Sequence, residues 1–184
     1  MSKIYAKCPA AITDKVSEII SKYHPTLAGV GIKIACLTVA NTEEDEPALL
    51  LHGYPCAAVV KILGAKDRAR GVGDAEIVFD EVVYNDLSAE EQNALIDHEL
   101  THLEVKRRPK TGKPVFDAYK RPALQMKLHD RQFGWFDEVA KRHGAKSMEC
   151  KQATGLVLSG KQVYFNFDLK SKLGDGVTAS VKLM

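Results

Sequence analysis

Residues 94–105 read ALIDHELTHLEV, and three of them carry chemistry when they stand this close together: His98, Glu99 and His102. Four residues along an α-helix turn about 400°, so His98 and His102 project from one face about 6 Å apart along the axis, where both imidazoles can reach one ion. Glu99 stands about 100° around from His98, near enough to meet a metal-bound water without entering the coordination shell. This H-E-x-x-H spacing is half of a hydrolytic zinc site, and the other half must include a third protein ligand.

The remaining histidines, His24, His52, His129 and His143, and the downstream acids are the candidates. A helix predicted from about Leu128 to Gly144 puts His129, Phe133, Phe136, Ala140 and His143 on one core-facing stripe. His129 and His143 then lie about 21 Å apart along that helix and cannot serve the same ion. His129 is favoured because the connection 106–127 can fold the helix start back over the first histidines, and Asp130 can orient a ligand from behind. His143, beside Gly144, suits a helix C-terminus, where a cation is stabilised. Asp137 or Glu138 remains open as an acidic third ligand. A metzincin is excluded, since it needs glycine at 105 and histidine at 108 where this chain has Val105 and Arg108.

Positioning such a group requires a held helix and something to hold it against. Ser88 with Glu91 three residues later is a capping box, so the helix should begin near residue 89. Ile96, Leu100 and Leu103 form an apolar stripe opposite the histidines while Leu95 and Val105 flank them, which predicts a helix covered on both sides. Upstream, 10–23 has helical spacing, with Pro25 as its stop, 29–40 reads as a strand and 75–84 as a half-buried strand after a polar loop at 64–74. Residues 48–63 fit strand or helix. The strand near 75–82 is the expected edge for an extended peptide. Residues 106–122 hold three prolines and read as a loop, and 154–169 with 177–184 read as short strands.

At 184 residues, with 45% hydrophobic and 27% charged residues, the chain is long enough for one real core. A net charge of +2 provides no global field for nucleic acid or membrane. No export signal or transmembrane run is apparent, so work in a cytoplasm is expected, and no membrane partner. The four scattered cysteines, with no C-x-x-C pair, read as incidental thiols. No nucleotide-binding glycine motif is present.

The segment LSAEEQNALIDHELTHLEV followed by LHDRQFGWFDEVAKRHG resembles the putative phage metallopeptidase family and, more distantly, the SprT-like zinc proteases, over roughly residues 55–144. The resemblance implies a zincin-like α+β domain: an N-terminal helix, a small mixed sheet and two metal-bearing helices. It also implies His98, His102 and His129 as ligands to one zinc per chain, Glu99 as the acid/base, a protein or peptide substrate and, for a phage-encoded chain, work in the host cytoplasm. The domain is expected over 1–145, with 146–184 as a β extension packed on it. The SprT-like cysteine ribbon has no counterpart here, since 145–184 holds only Cys150.

Tyr84, Tyr119 and the arginines of 107–121 are candidates for stabilising the oxyanion, each set against an ordinary core or solvent role. The basic run Lys106, Arg107, Arg108, Lys110 and Lys113 is either a solvated loop or a nucleic-acid phosphate contact, and only the latter weakens steeply with salt. The rival to an enzyme is a metal-stabilised phage protein that acts on a host system, or with nucleic acid, without cleavage.

Overall fold

A nearly continuous apolar run at 34–41 and the apolar Ala75, Ile77, Val78 and Phe79 within 75–80 dictate two interior strands, and these lie side by side and parallel at the centre of a four-stranded sheet. The computed structural model of the protein describes residues 2–42, 47–51, 54–130 and 134–158. Its first unit spans residues 1–152; of the second, 153–184, only the end of one helix is described.

In chain order, β1 (Lys3–Lys7) and α1 (Ala10–Tyr23) are followed by α2 (Pro25–Gly29), β2 (Ile34–Asn41), the small hairpin β3 (Leu50–Leu51) with β4 (Tyr54–Pro55), and β5 (Ala58–Ile62). Then come α3 (Ala65–Ala69), β6 (Ala75–Asp80), α4 (Glu81–Asn85), α5 (Ala89–Thr101), β7 (Leu103–Val105), β8 (Leu124–Met126), α6 (Asp137–His143), a 3-10 turn at Gly144–Lys146 and α7 (Met148–Leu158). The sheet order is β1-β2-β6-β5, with both outer strands antiparallel to their neighbours. Ala75, Ile77 and Phe79 of β6 are fully buried and share one core with Val16 and Ile19 of α1 and Leu95, Ile96 and Leu100 of α5. The mixed α+β class follows directly.

Several expectations change. The expected edge strand at 75–82 is interior, because β6 is paired on both sides by β2 and β5; the true outer strand on that side is β5. The strand read over 75–84 stops at Asp80, whose Oδ1 accepts from Val83 N–H (3.1 Å) and caps α4. Pro25 ends α1 but also opens α2 at its first turn, where its missing N–H costs nothing. The "loop" at 106–122 is an arm whose neck is closed by backbone bonds: Lys106 N–H to Ala123 C=O (2.8 Å), Ala123 N–H to Val115 C=O (2.9 Å) and Val115 N–H to Lys106 C=O (2.8 Å).

The helix expected from Leu128 to Gly144 is reduced to α6. Gly134 takes a left-handed φ of 76°, and Asp130 Oδ2 accepts from Asp137 N–H (3.0 Å), which starts the helix only there. His129 therefore lies on irregular chain, so α5 is the only described helix that carries members of the histidine group. Residues 154–158, expected as strand, are the end of α7; the rest of 154–169, and 177–184, lie outside the described residues. No described helix is long and apolar enough to cross a membrane.

Candidate metal centre

The capping box that the sequence announces is formed. Glu91 N–H donates to Ser88 Oγ (3.4 Å) while Ser88 N–H donates to Glu91 Oε2 (2.8 Å), satisfying two of the orphan donors at the start of α5. Thirteen residues later α5 stops with His102 as its C-cap, so His98 and His102 present their rings on one side, 5.2 Å apart between centroids. The opposite side supplies Ile96 and Leu100, both fully buried.

A hairpin, not a helix, delivers the third histidine. β7 leaves α5 immediately, and β8 returns antiparallel with Leu103 opposite Met126. One step further, Lys127 N–H donates to His102 C=O (2.7 Å) and Lys127 C=O accepts from His102 Nδ1 (3.0 Å). Two residues beyond, His129 Nε2 stands 3.3 Å from His98 Nε2, and one nitrogen from each of His98, His102 and His129 lies within 4.8 Å of the other two.

The hydrogen bonds fix which nitrogens are available. A carbonyl or an ionised carboxylate can only accept, so His102 carries its proton on Nδ1 toward Lys127, and His98 carries its own on Nδ1 toward Glu149 Oε1 (2.8 Å). In the neutral rings both Nε2 atoms are thereby left with lone pairs. Nitrogens bound at about 2.0–2.1 Å in a tetrahedral shell stand about 3.3–3.4 Å apart, and the His98–His129 spacing already matches. The donor set fits a first-row metal ion.

Phe136 forms the floor. It is fully buried, with ring centroids 5.0 Å from His98, 4.7 Å from His102 and 4.9 Å from His129. Burial, reinforced by the neighbouring His98 and His129, pushes His102 down to about 4, and burial together with His98 also lowers His129. His98 moves the other way: burial opposes its charge, but its bond to Glu149 and the nearby carboxylates outweigh it. Glu99, only 6% exposed, has its carboxyl raised by burial, against the pull of His98 and a hydrogen bond from the backbone N–H of Val60 on β5.

Other expected site residues fall elsewhere. Tyr84 is a core residue, 3% exposed and tilted against Phe79, with burial, and then its thiol neighbours, raising it to about 12; it does not join the histidines. Tyr119 is exposed on the arm beneath Arg121. Asp130 reaches His129 only through its charge; its oxygens serve Asp137 N–H and Lys127 Nζ. Lys106, Arg107, Arg108, Lys110 and Lys113 are all exposed on the arm. Glu138 pairs with Arg142, and His143 binds Asp97 Oδ2 (2.9 Å). The residue that sequence reasoning missed is Glu149, which lies 51 positions from its partner and in no local motif.

The α+β chain thus brings a third imidazole against the two of its H-E-x-x-H helix, a group that could hold a metal ion beside a buried carboxylate. The family model of the putative phage metallopeptidases matches residues 4–157, and the chain belongs to that family. Comparison with curated proteins and with solved structures yields no match.

Proposed function

We propose that the protein is a zinc-dependent endopeptidase, with His98, His102 and His129 as ligands to one zinc ion and Glu99 as general base. The reading rests above all on one juxtaposition: three imidazole nitrogens within 4.8 Å, next in sequence to a buried glutamate. When bound, zinc supplies Lewis acidity that makes water nucleophilic near neutral pH.

The chain's own residues do the rest. Glu99, its carboxyl raised by burial, takes a proton from the attacking water and returns it to the leaving amine nitrogen. β5 offers the peptide a template. Asp80 N–H bonds Ala57 C=O and Leu63 N–H bonds Asp74 C=O, so the alternate residues Ala58, Val60 and Ile62 turn their backbone groups away from β6. An extended substrate pairing there meets Glu99, because Val60 N–H is the group that touches its carboxylate. Phe136 keeps the imidazoles on a dry floor.

Glu99→Gln tests the assignment, because it keeps the ligands and removes the base. The expected outcome is full zinc content by elemental analysis with cleavage of a denatured protein substrate reduced about 10²–10⁴-fold. Undiminished cleavage, or undiminished action on a host with cleavage absent, defeats the enzyme reading.

A further inference from the structure

One buried charge takes no part in the proposed hydrolysis. Glu149 is 1% exposed in the first turn of α7, where Ser147 Oγ accepts from Cys150 N–H (3.1 Å) at the helix start. A carboxylate so enclosed is costly unless donors meet it. Three do: His98 Nδ1 at 2.8 Å from Oε1, and the backbone N–H groups of Glu149 itself and of Phe136. Its Oε2 has no hydrogen-bond partner among the described residues. One side chain thus grips both a candidate ligand ring and the backbone that seats the aromatic floor beneath all three histidines. α7 is further tied to α5 by the ion pair of Lys151 with Glu91, one face of α5 holding both contacts at residues 91 and 98.

We infer that Glu149 is a positioning residue: it holds His98 with the proton on Nδ1 and the Nε2 lone pair aimed at His129 and His102, so that the first turn of α7 is part of the metal centre. The inference rests on the zinc reading for its consequence, though not for its geometry. His102 has a neutral counterpart in the carbonyl of Lys127, whereas Glu149 brings a full negative charge that also strengthens the ring as a donor. Carboxylates placed behind a ligating histidine are worth about 10–100-fold in metal affinity.

The test uses the full chain and two variants, Glu149→Ala and Glu149→Gln, the second keeping shape and an acceptor oxygen if the first fails to fold. In metal-free protein, long-range ¹H–¹⁵N NMR of the imidazoles, read where His98 is neutral on its own titration curve, reports the tautomer. Wild type and Glu149→Gln are expected to hold the proton on Nδ1, and Glu149→Ala to lose that preference. Zinc affinity, measured by chelator competition, should fall about 10–100-fold in Glu149→Ala and by less in Glu149→Gln. An Nε2 proton in the wild type, or a tautomer unchanged by both variants, overturns the inference. Wild type that binds no zinc but shows the Glu149-dependent tautomer refutes the peptidase reading and leaves the positioning role standing.

Discussion

Adjacent residues of α5 belong to two histidine groups that are built in opposite ways. Asp97 is fully buried and saturated: Oδ1 meets His24 Nε2 (2.8 Å), Oδ2 meets His143 Nε2 (2.9 Å), and Arg142 Nη1 reaches both oxygens (2.9 and 3.0 Å). Burial alone would raise its carboxyl, but the bonds from His24, Arg142 and His143 hold it below the usual range. That group has its anion at the centre and donors around it. At His98 the order is reversed: the acceptors, Glu149 and the Lys127 carbonyl, stand outside, and the nitrogens they leave unprotonated converge on one another. Clustering of histidines is common to both; among the described residues only the second has no central partner of its own, which makes it the candidate ligand site.

The closed group should matter most to stability. Asp97→Ala strands Arg142 and two imidazoles and is expected to cost about 3–5 kcal/mol in urea denaturation of the metal-free protein. A loss near zero would erase the distinction drawn here. The open group should respond instead to metal: zinc at about 100 times its Kd is expected to stabilise the wild type by about 2.7 kcal/mol, with His129→Ala abolishing most of that gain while leaving the metal-free protein nearly as stable, because His129 is exposed. Equal gains in both proteins would remove His129 from the site. Smallest is Gly134→Ala. A Cβ there would make only ordinary contact with the His129 ring, 3.5 Å from Cε1, so the φ of 76° sets a cost of about 1–2 kcal/mol, read in thermal denaturation.

What the sequence could reveal follows the range of the interactions involved. The capping box of Ser88 and Glu91 and the face shared by His98 and His102 depend on spacings of three and four residues, and both are legible. The helical stripe that points to His129 in the sequence is not formed, because the left-handed Gly134 and the carboxylate of Asp130 defer the helix to Asp137. β1 escaped notice because all five of its residues are exposed and show no buried face. Glu149 and Asp97 could not be read, since their partners lie 45–73 positions away and are brought to them only by tertiary packing.

The neck of the arm has a further consequence. The spacing of His102 and His129 is set by the pairing of Leu103 with Met126 and by the two bonds of Lys127 to His102, all on the near side of residues 106–123. The centre is therefore insulated from whatever the chain does between those limits. A trimmed arm, an extended one or a foreign segment spliced beyond the neck keeps the same three imidazoles in the same relation. Evolution can rewrite that stretch, with its exposed cations and aromatics, independently of the spacing of the three imidazoles.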